Sequence, residues 1–143
     1  MDKTLPDKWV RKAIYDAIND IVVDGITIPC FDSRVTNDNL QHFVLLTTQT
    51  NSVDKANKCE DFWNSSILID VVTSYFGGGN VGNRLLADNI MDAVRNATKN
   101  LTLDASSGLI VQKQKQDFPN DITTITGTEN VFRKIMRIEF TFN

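Results

Sequence analysis

Ser66-Ile67-Leu68-Ile69-Asp70-Val71-Val72-Thr73-Ser74-Tyr75-Phe76, then Gly77-Gly78-Gly79-Asn80 and a helical run to about Lys99, is the stretch on which the fold turns. Its β-branched and apolar residues predict a strand, and the glycines predict a turn. One strand face holds Ile67, Ile69, Val71, Thr73 and Tyr75, and the other holds Leu68, Asp70, Val72 and Ser74. Beyond the turn, Leu86, Ile90, Met91, Val94 and Ala97 recur at helical period with Leu85 beside them. Arg84, Asp88, Asn89, Asp92 and Arg95 take the solvated side. Asp70 in so apolar a strand demands a partner or a subunit interface, because an unpaired buried carboxylate is costly.

On the N-terminal side, Trp9, Val10, Ala13, Ile14, Ala17, Ile18 and Ile21 form one apolar stripe, predicting a helix over about Leu5–Val22. Pro6 fits its first turn, and Thr4 with Asp7 resembles a capping box. Ile26–Phe31 reads as a short strand, which Pro29 assigns to a sheet edge. His42–Thr48 reads as a second strand, apolar on both faces (Phe43 and Leu45, Val44 and Leu46) and so expected to be covered on both sides. Gln49–Asp61 reads as a polar loop.

On the C-terminal side, Leu109–Gln116 starts apolar and becomes polar on both faces. Such a strand belongs in no core and specifies its register weakly, which predicts a hairpin arm over about 109–126 that projects or augments a neighbour. Phe118-Pro119-Asn120-Asp121 signals a turn, and Ile122–Thr126 a short strand. Val131–Phe142 alternates cleanly, with Phe132, Met136, Ile138, Phe140 and Phe142 inward and Arg133, Arg137, Glu139 and Thr141 outward. The order predicts an α+β domain spanning 1–143: a mostly antiparallel sheet, two helices packed on one face, and a projecting polar β-hairpin arm. The connections look too short for crossovers.

Composition narrows the function classes. The chain has 143 residues, 41% hydrophobic and 23% charged, which suits one globular domain. A net charge of −3 lacks the basic footprint of a dedicated nucleic-acid binder. The N-terminus has no apolar signal region, and no apolar run reaches the ~20 residues of a membrane span. Cys30 and Cys59 have no metal-binding spacing, and with no export signal in view reduced thiols are the expectation.

Two motifs compete for a chemical role. Gly77-x-Gly79-x-x-Gly82 follows a strand, opens a helix and precedes Asp104 by about twenty residues, as a dinucleotide-binding fingerprint requires. The plain alternative is a strand-to-helix connection whose glycines supply positive φ. The single βα step favours that alternative, since a Rossmann half needs successive parallel units. His42 is the only histidine, so any Ser-His-Asp or Cys-His device would have to use it, and no partner is visible nearby. One His and two distant Cys make no metal site, and Asp54, Glu60 and Asp61 read as solvated loop charges. No cofactor is expected. Lys113, Lys115, Arg133, Lys134 and Arg137 gather in the C-terminal half, either as a contact strip for an acidic subunit face or phosphate, or as charges that discourage edge aggregation.

The layout resembles the tail terminator, or tail completion, proteins of tailed bacteriophages. The residues carrying this are the N-terminal amphipathic helix, the Ile69-Asp70-Val71 strand, the second helix and a last strand of type Arg133-x-x-x-Arg137-Ile138-x-Phe140-x-Phe142. The resemblance covers most of the chain and is weakest over Gln112–Thr126 and the Gly77–Gly79 cluster. It implies a non-enzymatic virion subunit that assembles into a hexameric or dodecameric ring at the head–tail interface. Such a ring caps the tail tube or docks to neck and connector proteins, while DNA transits the lumen without sequence-specific binding. No catalytic residue is carried over. Asp70, Gln112, Lys113, Gln114, Lys115, Arg133 and Arg137 are the expected inter-subunit or partner contacts. A ring protein from the neck of a short-tailed phage would read similarly, and a small nucleotide-binding protein using the glycine turn is the alternative from another class.

Overall fold

The computed structural model describes residues 5–32, 41–54, 62–77 and 82–142. Thr4, Cys59, Glu60, Asp61 and the centre of the glycine cluster lie outside the described residues, as does the side chain of Asp54. The chain runs α1 (Asp7–Ile18), β1 (Ile21–Val23), β2 (Ile26–Ile28), β3 (Cys30–Asp32), β4 (His42–Asp54), β5 (Phe62–Phe76), α2 (Leu85–Thr98), a single 3₁₀ turn at Ala105–Ser107, β6 (Val111–Ile125) and β7 (Glu129–Phe142). Strands β3 to β7 form one sheet in the order β3-β4-β5-β7-β6, antiparallel except for the β3–β4 pair. Strands β1 and β2 form a separate hairpin. This is the expected α+β fold.

The helices lie together on one face of the sheet, and the core sits between. Val10, Ile14 and Ile18 of α1 and Ile90, Met91 and Val94 of α2 meet Val44, Leu46, Ile67, Ile69, Val71, Met136, Ile138 and Phe140, all buried. The opposed pairs Ile67–Ile138 and Ile69–Met136 show why the two longest alternating segments become neighbours: facing residues share a side, so both apolar sets reach the helices.

Several expectations need correction. The first helix stops at Ile18 rather than Val22, because Asp20 and Asp24, both at positive φ, turn the chain into the β1–β2 hairpin. Ile26–Phe31 is broken at Pro29 into two strands of different sheets. Gln49–Asp54 continues β4 beyond a bulge between Leu46 and Gln49, and Arg11 of α1 explains how. Its guanidinium bonds Gln49 Oε1 (2.7 Å) and pairs with Asp32, so it faces the sheet edge and not open solvent.

The polar segment does not project as an arm. β6 is a single strand paired with β7 from Val111 to Ile125, passing Pro119 at a bulge between Asp117 and Asn120. An outer strand tolerates proline there because its N–H has no partner to lose. Its inward glutamines have a structural use. Gln114 Nε2 donates to Thr98 O, and Gln116 Nε2 donates to Arg95 O (3.2 Å) and Thr98 Oγ1 (3.0 Å). They satisfy carbonyls at the end of α2 that have no partner within the helix. The polarity of both faces therefore reflects one wet face and one helix-capping face. Nor are the connections all short: α2 is itself a crossover from β5 to the outer β6, skipping β7.

Candidate functional site

Among the described residues, no layer lies over the second face of the sheet. Cα partners place Phe43, Leu45, Leu68, Asp70, Val72, Arg133, Ile135 and Arg137 on this side, opposite the helices. Phe31 joins them, its ring edge-on to Phe43 at 6.2 Å. A strand expected to be covered twice is thus covered once, and Phe43 and Leu45 are only half-buried. Antiparallel sheets with a solvated face ordinarily alternate apolar with polar residues. Here the centre of the face is apolar, with Phe43, Leu45, Leu68 and Ile135 half-buried and Val72 buried by its neighbours on the sheet.

Asp70 is the best-satisfied charge on that face. Arg133, across the β5–β7 boundary, donates Nε to Asp70 Oδ2 (3.1 Å) and Nη2 to the same oxygen. Both N–H groups converge on one carboxylate oxygen, with Nε also 3.4 Å from Oδ1, a charge-assisted contact rather than a parallel two-oxygen fork. It raises the Arg133 pKa above its ordinary value, chiefly through the Asp70 hydrogen bond. Arg137 meets Asp117 of β6 at 3.4 Å. Lys113 and Lys115 are exposed at the far, polar end of the face, where Thr50, Ser52, Asn64, Ser66, Glu139 and Thr141 line a shallow depression of about 460 Å³.

The residues singled out in the sequence therefore divide. Asp70, Lys113, Lys115, Arg133 and Arg137 share the open face, and Gln112 is exposed at the β6 bulge. Gln114 is turned towards α2. Lys134 also leaves the basic strip, since it points to the helices and pairs with Asp88 (2.9 Å) and Asp121 (3.7 Å). Sequence reasoning passed over Ile135, Leu68 and Val72 as ordinary strand residues. Only their place on a face that no other described element covers makes them notable.

The glycine motif has structural employment at both described ends. Gly77, at φ +110°, donates its N–H to Thr128 O (2.9 Å), tying the end of β5 to the β6–β7 turn. Gly82, at φ +76°, lies against the ring of Tyr75, where a Cβ would collide. The strands flanking α2 are not adjacent, unlike those of a dinucleotide-binding half. His42 opens β4, its ring tilted on Tyr75 at 5.4 Å, with its Nδ1 buried and unbonded among the described residues. Burial lowers its pKa. Cys30 is a buried free thiol whose pKa burial pushes up to about 12, the opposite of a reactive cysteine. Among the described residues no group of three or more His, Cys, Asp or Glu is placed to hold a metal, and no helix is long and apolar enough to cross a membrane.

A one-layer α+β sheet with an apolar open face defines the class of fold. In structure the chain is similar to a chain of the virion of a native gene transfer agent particle, with a TM-score of 0.62 over 94% of this chain and 96% of that one. Identity is 13%, so the likeness is one of fold. No family model and no curated protein matches the sequence.

Proposed function

We propose that this protein is a structural subunit of a phage-like virion, assembling as a ring at the head–tail junction. The single observation that carries the reading is the near-complete structural overlap, in both directions, with a chain of a gene transfer agent virion. The uncovered apolar sheet face supports it, because a subunit that functions in an assembly needs a surface to bury there. In this role the ring caps the tail tube or joins it to the neck connector, and DNA passes through the lumen. The acidic balance suits a channel that must not trap DNA. The role is non-enzymatic. The structural uses of Gly77 and Gly82 weigh against a nucleotide-binding alternative.

Light scattering after size-exclusion chromatography, with negative-stain images of the same peak, tests the proposal. The expected result is a multimer with a central hole. A chain that stays monomeric up to millimolar concentration and binds NAD or ATP overturns it.

A further inference from the structure

Two surfaces of this chain carry matching patterns. On β7, Arg133, Ile135 and Arg137 alternate outward on the open face, an isoleucine between two half-exposed guanidinium groups. Around β1, the turn residues Asp20 and Asp24, both at positive φ, flank Val22 with the opposite charge, all three exposed and Val22 at 64%. The β7 triplet spans four residue steps, about 13 Å in an extended strand, whereas Asp20 and Asp24 close in on Val22 from left-handed turns. Neither Asp20 nor Asp24 forms an ion pair among the described residues. The guanidinium groups retain capacity: Arg133 engages Asp70 through Nε and Nη2, and Arg137 meets Asp117 only at 3.4 Å.

We infer that the open sheet face is the seat for the β1–β2 hairpin of a second copy of this chain, Val22 packing on the half-buried Ile135 and Leu68 while Asp20 and Asp24 meet Arg133 and Arg137. The inference rests on the ring reading and supplies its interface. The hairpin belongs to the helix side of the sheet, with Asp24 tied to α2 through Asn89 Nδ2 (2.9 Å). Donor and acceptor surfaces therefore lie on opposite sides of the molecule. The interaction is then head-to-tail, which closes into a ring where the rotation between copies permits and otherwise extends as a filament.

Cysteine cross-linking of the full chain tests this contact. Cys59→Ser serves as background, while Cys30 stays in place, because its thiol is buried. Val22→Cys and Ile135→Cys are introduced separately and together, oxidised, and run on non-reducing gels. The expected result is a ladder of covalent dimers and higher species only when both cysteines are on the same chain. Asp20→Lys with Asp24→Lys should weaken the ladder at least tenfold, and adding Arg137→Glu should restore part of it. Covalent dimers from either cysteine alone would show a face meeting itself and overturn the inference. So would a missing ladder, or one indifferent to charge reversal, in a chain that still forms multimers; that outcome leaves the ring reading standing. A monomer without any ladder overturns both.

Discussion

Arg133 covers Asp70 so closely that the carboxylate side chain keeps 3% of its exposure while the arginine keeps 40%. The pair bridges the two central strands on the open face, and its burial is asymmetric. Removing one partner is therefore not equivalent to removing the other.

Arg133→Met keeps the covering bulk but leaves Asp70 charged and unpaired in a site nearly closed to water. A loss of about 3 kcal/mol in urea unfolding is expected, in the range for breaking a buried pair. Asp70→Asn keeps the shape and a hydrogen bond, and frees an arginine that can turn to solvent, so about 1 kcal/mol is expected. Equal losses would show that the arginine's exposure does not relieve it. Asp70→Ala should impair folding or assembly, and a fully soluble, assembly-competent variant would contradict that.

Acid should weaken the fold through His42. Its folded pKa is lowered by burial, so the unfolded state takes up a proton more readily. Stability from this group is complete above the ordinary histidine value, near 6.5, and falls as pH drops below it. The melting temperature should decline from pH 7 to pH 5.5 more steeply in the wild type than in His42→Gln. Parallel profiles would remove His42 from the account.

Gly82→Ala tests the glycine motif on physical grounds. The substitution forces a residue with a Cβ into left-handed backbone and drives that carbon into the Tyr75 ring. A loss of at least about 1–2 kcal/mol is expected from the conformation alone. Tyr75→Ala in the same chain should recover the part due to the collision. A Gly82→Ala chain of undiminished stability would mean that the loop packs differently.

Gln114→Leu combined with Gln116→Leu strips the carbonyls of Arg95 and Thr98 of their side-chain donors. A typical net hydrogen bond contributes about 1 kcal/mol, so losing the three donated bonds should cost about 3 kcal/mol. Hydrogen exchange should quicken first in the last turn of α2. Unchanged protection there would show that β6 does not hold the helix end.

The sequence by itself determined the elements with a clear period. The stripes Val10-Ile14-Ile18 and Ile90-Val94, and the alternation of Phe132 to Phe142, are local patterns that decide both type and inward face before any contact forms. Asp70 was also legible as a charge in need of a partner, because its neighbours are all apolar. Tertiary structure alone decided the rest. Arg133 lies 63 residues from Asp70, and nothing local connects them until β5 and β7 pair in one register. The polarity of Gln114 and Gln116 suggested a strand in solvent, yet the crossover of α2 brings bare carbonyls within their reach. Phe43 and Leu45 predicted a second cover because apolarity records that a surface is buried without recording by what. In this chain the helices close one side of the sheet, and among the described residues no element lies over the half-buried apolar centre of the other.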